Sequence, residues 1–240
     1  MIVVIRRGFL LGAGLFGCFV LSLAAVLWAG HGIAAPALGP MEQGPRTVVV
    51  DAGHGGEDGG AISPEGVVES GVNLEIALRL RDTLVFAGQR TRLTRATGEA
   101  LHTEGTTIRE RKRSDLRRRT EIVNETPGAV LVSIHQNSLP ASPTTHGAYV
   151  FWNRQEGAEA IGTSIQDVLN RTVNAGNEKK ARQVAGSVYL MDHVTAPGVL
   201  VECGFLSNAG EVQKLREPSY QTMLAGAVAV GVLLAGEDVS

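Results

Sequence analysis

The segment VVVDAGHGGEDGGA, residues 48–61, decides how the chain is read. Three valines run into Asp51, and the sequence then opens into a loop holding Gly53, Gly55, Gly56, Gly59, Gly60 and one histidine, His54. A β-branched run suits a buried strand, and glycines mark its end. In open α/β sheets, ligands bind in the crevice beyond the carboxyl ends of the strands. The loop therefore either cradles a phosphate or presents His54. A P-loop needs GxxxxGK[ST], and a dinucleotide loop needs GxGxxG opening directly into a helix. Neither spacing is present, and Glu57 and Asp58 oppose an anion. The glycines are better suited to letting backbone approach His54 and its ligand closely.

Downstream, Val- and Ile-rich runs alternate with segments of helical period, which predicts an α/β domain whose strands are joined by crossover helices. Six strands are expected, at 47–51, 90–95, 129–134, 147–152, 187–191 and 198–202. Val72, Ile76, Leu80 and Leu84 recur every four residues before Gly88, predicting a helix with a glycine C-terminus. Further helices are expected at about 108–125, 156–171 and 219–235. The apolar run 223–235 in the last is read as packing on the sheet.

Residues 8–30 carry no charge and follow Arg6 and Arg7. About 20 apolar residues suffice to cross a bilayer. The preceding arginines predict a cytoplasmic N-terminus with the rest of the chain outside the membrane. An uncleaved anchor over 1–30 is favoured over a cleaved signal, and both over a twin-arginine signal. Residues 31–45, rich in proline and glycine without periodicity, read as a linker, so that the folded domain spans 46–236. The formal net charge of −2 over 240 residues gives no overall bias toward nucleic acid, and export argues against such a partner. Cys203 is the only cysteine beyond the apolar run, so the domain forms no internal disulfide.

Four chemistry-bearing side chains fall near predicted strand ends or the first helix. His54 follows VVVD, His135 follows LVSI, Glu202 ends GVLV, and Glu69 stands at the N-terminal edge of the first helix. Two imidazoles and one carboxylate form a catalytic zinc set that leaves a position for water. A further carboxylate, Glu202, would then act as general base. Each residue also has an ordinary reading: a solvated loop histidine, a helix-terminal acid, a histidine at a sheet edge. The compact HExxH pattern is absent, so spacing alone leaves both readings open.

The motifs DAGHGGEDGGA, VVESGVNLEIALRLRDTL, SIHQNS and VLVECGFLSN resemble, in this order, the four signatures of the zinc-dependent N-acetylmuramoyl-L-alanine amidases. The resemblance runs from about Val48 to Gly231. It implies a mostly parallel central sheet, one zinc ion held by His54, Glu69 and His135, and Glu202 as the catalytic residue. It further implies hydrolysis of the amide between N-acetylmuramic acid and L-alanine in peptidoglycan. Residues 104–124 and 187–208, with one N-terminal apolar segment, resemble the spore-cortex branch, which removes stem peptides on the way to muramic δ-lactam. That branch implies extracytoplasmic action on the cortex side of the forespore membrane and an activating lipoprotein partner. Ser70, Gln136 and His193 depart from the usual pattern without removing a ligand. The rival reading is a weakly active peptidoglycan-binding module of the same fold, and a more remote one is a peptidase using Cys203.

Four features stay apart from this set. Asp51 either orients His54 or simply ends its strand, and the second is favoured. The basic run 109–119 is expected to be a solvated helix face, ahead of contact with wall or lipid. Cys203, adjoining Glu202 along a strand, should point to the opposite face and be buried. His193 is a candidate for substrate contact, and His146 is expected to be solvated.

Overall fold

The first strand, β1 (Thr47–Ala52), forms where the sequence reading puts it, because three consecutive β-branched residues can be buried on both faces of a sheet. The structure, a computed structural model, describes residues 46–186 and 188–237. The expected anchor at 1–30 and linker at 31–45 lie outside those residues. Helix α1 (Glu69–Phe86) follows and ends as expected at Gly88. There Gly88, at φ +79°, lets the Gln89 N–H reach the Leu84 carbonyl at 2.9 Å. The chain continues through β2 (Arg90–Leu93), α2 (Ile108–Asn124), β3 (Ala129–Asn137), β4 (Tyr149–Trp152), α3 (Ala158–Arg171) and β5 (Arg182–Gln183). It closes with α4 (Tyr189–His193), β6 (Gly198–Phe205), α5 (Ala209–Leu215) and α6 (Pro218–Glu237).

The six strands form one sheet in the order β2-β1-β3-β6-β4-β5. Pairing is parallel throughout except between β4 and β6. Alternation along the strands divides the core. Val48, Val50, Ala52, Val132, Val201 and Cys203 face a large cluster with α1, α3 and α6. Val49, Leu131 and Leu200 face a smaller one with Ile122 and Val123 of α2 and Leu190 and Met191 of α4. Helix α6 is long and apolar enough to cross a membrane by composition. Leu224, Ala225, Val228 and Ala229 are buried in the larger cluster, as expected for a helix packed in the core.

One expected strand is absent. Ser187 lies outside the described residues, and Tyr189–His193 forms α4 instead of continuing a strand. A short apolar run does not distinguish strand from helix. Here adjacent Leu190 and Met191 are both buried against the same cluster, which a helical turn allows and an alternating strand does not. The sixth strand is the two-residue β5, too short to leave a periodic signal. Helix α5 was also not expected; Asn208 caps it, its side chain accepting from the Glu211 N–H at 3.1 Å.

The smaller cluster holds a buried ionic group beneath the end of β1. Asp51 and Arg119 are each 1% exposed. Arg119 donates from Nη1 to Asp51 Oδ1 at 2.7 Å and from Nε to Asp115 Oδ2 at 2.6 Å. Thr94 and Ser133 donate their hydroxyls to the two Asp51 oxygens at 2.7 and 2.6 Å. Burial alone would raise the Asp51 pKa, but the Arg119 charge and the two hydroxyls hold it at about 2 against an ordinary 3.8. A depressed carboxylate contributes stability that is present above its unfolded pKa and lost as pH falls through its folded value. The contribution is on the order of 2 kcal/mol. Urea unfolding should therefore show stability dropping between about pH 3.8 and about 2. Asp51→Asn should be less stable at neutral pH and lack this component of the drop; an unchanged acid slope in that variant would contradict the assignment.

Candidate active site

At the carboxyl ends of β1, β3 and β6, beside the amino end of antiparallel β4, residues stand side by side on the α2/α4 face. His135 pairs in register with Glu202, and Glu202 with Tyr149. Gly53 continues β1, its N–H donating to the Ile134 carbonyl at 3.0 Å. A Cβ on Gly53 would collide with the Cε1–Nε2 edge of the His135 ring, so glycine is required for the imidazole to lie over the backbone. Gly60, at φ +72°, is equally constrained: a Cβ there would collide with the Glu69 carboxylate and come within 2.8 Å of the His54 ring. The glycines are the clearance around three polar side chains.

His54 enters this space from the loop with φ 61°, the only positive φ at a non-glycine residue among the described residues. Such a conformation costs on the order of 1 kcal/mol and needs fixing. Two buried arginines supply it. Arg119 donates from Nη1 to the Ala52 carbonyl at 2.7 Å and from Nη2 to that of His54 at 2.6 Å. Arg95 donates from Nε to the Ala52 carbonyl at 2.8 Å and from Nη2 to those of Gly53 and Ser70 at 2.9 Å each. Burial lowers the Arg95 pKa to about 10, leaving the guanidinium charged at neutral pH.

Glu69 is placed by the start of α1. Its Oε2 accepts from the Ala61 N–H at 2.8 Å, and its Oε1 from Asn73 Nδ2 at 3.1 Å and the Gln136 N–H at 3.2 Å. The same Oε1 lies 3.3 Å from His54 Nε2 and 3.0 Å from His135 Nδ1. The two imidazole rings meet edge to face with centroids 5.0 Å apart. One potential ligand atom from each of His54, Glu69 and His135 lies within 4.8 Å of the others. Ligands about 2.0 Å from one tetrahedral zinc stand roughly 3.3 Å from one another, so the cluster fits a single ion.

The electrostatics suit a cation. Burial opposes ionisation of Glu69, but hydrogen bonds and charge from His135 and His54 hold its pKa far below the ordinary carboxylate range. Burial would lower the His54 pKa, yet its hydrogen bonds to the carboxylates of Asp58 and Glu69, and their charge, raise it to about 9. A metal ion would take the place of that proton. Glu202 differs from Glu69. Its Oε2 is buried with no hydrogen-bond partner among the described residues. Burial raises its pKa to about 7, only partly offset by His135 and His54. A carboxylate poised near neutrality can both take and return a proton.

A cleft of about 170 Å³ opens beside His54 and His135, walled by Leu116 and Lys112 of α2 and by Val188, Tyr189 and Met191 at α4. His193 is exposed, stacked on Tyr189 at 3.9 Å, with Nδ1 on the Tyr189 carbonyl at 2.8 Å. It does not join the cluster. His146 is exposed, with Nδ1 2.9 Å from the Thr144 carbonyl oxygen. Cys203 is buried on the opposite sheet face, as expected, and burial pushes its thiol far above the usual range. That argues against a thiolate nucleophile.

Asp51 does not orient His54, because it is consumed by Arg119, Thr94 and Ser133. Asp58 does so instead, its Oδ2 accepting from His54 Nδ1 at 2.9 Å. Nor is the basic run simply a solvated face. Arg119 is buried, while Arg111 and Lys112 pair with Glu57 and Asp58 of the loop at 2.9 Å each. Arg95, Asn73 and Asp58 were not anticipated in the site. Part of the signal was a spacing of four: Asp58 after His54, Asn73 after Glu69, and Arg119 after Asp115.

The comparisons accord with this geometry. A family model described as N-acetylmuramoyl-L-alanine amidase matches residues 48–233. The germination-specific N-acetylmuramoyl-L-alanine amidase of Bacillus subtilis (strain 168) is 36% identical over 189 residues, covering 78% of each chain. The CwlD amidase from Clostridioides difficile, solved in complex with the GerS lipoprotein, superposes with a TM-score of 0.77 at 31% identity, over 80% of this chain and 99% of that one. An N-acetylmuramoyl-L-alanine amidase from Clostridium difficile 630 superposes with a TM-score of 0.70 at 25% identity, over 82% of this chain and 99% of that one. With the motif order, the sheet and the histidine–carboxylate cluster in agreement, the chain belongs to the N-acetylmuramoyl-L-alanine amidase family, the hydrolases of the muramoyl–alanine amide in peptidoglycan.

Proposed function

We propose that His54, Glu69 and His135 bind one zinc ion and that Glu202 is the catalytic general base in removing stem peptides from spore-cortex peptidoglycan. The observation carrying this reading is the convergence of the three donor groups beside the buried, unpartnered Oε2 of half-buried Glu202. Zinc bound there would supply Lewis acidity, bringing the pKa of water toward about 7 and polarising the scissile carbonyl. Glu202 Oε2 takes the proton from the attacking water. The same carboxyl then returns a proton to the amide nitrogen as the C–N bond breaks, so that L-alanine leaves as a free amine. Lys112 and Tyr189 wall the cleft beside His54 and His135 in which the substrate would lie.

The cortex assignment rests on likeness to the germination-specific amidase. Likeness to the complexed CwlD amidase extends the proposal to a lipoprotein partner. Residues 46–236 are the catalytic domain in this reading, with 1–30 as membrane anchor, 31–45 as linker and action outside the cytoplasmic membrane.

Mass spectrometry of cortex and vegetative peptidoglycan, digested with and without zinc and with and without the partner lipoprotein, tests the reading. New L-alanine amino termini, chiefly from cortex and lost on chelation, are expected; cleavage at another bond would overturn it. Glu202→Gln should lower kcat by roughly 10²–10⁴-fold while still binding one zinc, the range for loss of a general base. Substantial remaining turnover would defeat the assigned role. Gly53→Ala should abolish zinc binding by driving a methyl group into the His135 ring. Full zinc occupancy in that variant, measured by elemental analysis, would contradict the placement of His135 in the metal site.

A further inference from the structure

The basic run on α2 does not act as a detached charged face, and its contacts lead back to Asp58, the acceptor on the His54 ring. Asp58 Oδ2 accepts from His54 Nδ1 at 2.9 Å and receives Lys112 Nζ at 2.9 Å. Asp58 is fixed at its backbone as well: Gly55 N–H donates to the Asp58 carbonyl at 2.9 Å and Asp58 N–H to that of Gly55 at 3.1 Å. The carboxylate thus stands on a closed turn, with one oxygen shared by an imidazole and an ammonium. Ion pairs at partly exposed positions contribute little to stability. Stability is therefore a poor reason for this arrangement, whereas its geometry at His54 is specific.

We propose that Asp58, braced by Lys112, is a positioning residue for the first metal ligand. By accepting the Nδ1 proton it fixes the His54 tautomer whose Nε2 lone pair is turned toward Glu69 and the metal position. An imidazole without such an acceptor divides its population between tautomers and ring orientations, and only one fraction binds. Lys112 neutralises Asp58 from the far side and limits its motion. Helix α2 therefore controls the ligand twice, through Arg119 at the His54 carbonyl and through Lys112 and Asp58 at the ring. This inference rests on the zinc reading above.

Zinc titration of the full-length protein against a chromophoric chelator tests it without recourse to activity. Wild type should bind one equivalent, and His54→Ala should lose that binding; failure of this pair would overturn the zinc reading itself. Given that control, Asp58→Ala should weaken zinc by about 10–100-fold, the usual cost of removing such a partner. Its apo form should keep the wild-type circular dichroism. Asp58→Asn, which retains an oxygen able to accept from Nδ1, should recover most of the affinity. Lys112→Met, which leaves the turn intact, should weaken zinc by a few fold. Wild-type affinity in both Asp58→Ala and Lys112→Met, or equal losses in the Ala and Asn variants, would overturn the proposal.

Discussion

The guanidinium of Arg119 is the contact on which the site depends. It lies beneath the end of β1, anchored by Asp51 and Asp115, and its remaining N–H groups are spent on the carbonyls of Ala52 and His54. A carbonyl just beyond a strand end has no ladder partner and must find a donor or stay in water. Here two buried arginines, Arg119 and Arg95, supply the donors and fix the loop. His54 can therefore keep a left-handed backbone and meet Glu69 and His135 without a helix or strand of its own.

The sheet separates the labour by face. The α1/α3/α6 side carries the larger apolar core. The α2/α4 side carries the smaller core together with Asp51, Ser133, His135 and Glu202 in successive rows of the strands. A buried ion pair is a weak source of net stability, because desolvation offsets its attraction. Its physical value here is to hold a backbone conformation that apolar packing alone could not specify. Glu69 crosses between the two sides, standing on α1 but turning its carboxylate over the strand ends through Ala61, Asn73 and Gln136.

Much of this was legible in the sequence. The β-branched runs and the four-residue period of Val72, Ile76, Leu80 and Leu84 mark elements buried on one or both faces, and such elements leave a periodic trace. His54, His135 and Glu202 were legible because they stand near or just beyond strand ends, where an α/β sheet gathers its chemistry, and Glu69 because it opens the helix after the glycine loop. Other parts leave no such trace. Tyr189–His193 reads as a strand because five residues are too few to show a period. Arg119 lies among seven basic residues of nearly identical local context, and only the partners brought from β1 single it out for burial. Asp58 and Asp51 are both close to His54 in sequence; the fold decides between them by giving Asp51 to Arg119.

The arginine-held loop brings three side chains together at the carboxyl edge of the sheet, where the proposed zinc ion would bind. Anomalous diffraction from crystals grown with zinc, collected on both sides of the zinc absorption edge, tests it directly. A single strong peak is expected, enclosed by His54 Nε2, His135 Nδ1 and the Glu69 carboxylate, with the carboxyl group of Glu202 beside it but not bonded to it. A peak bound elsewhere, or an empty cluster at saturating zinc, would exclude His54, Glu69 and His135 as the zinc ligands.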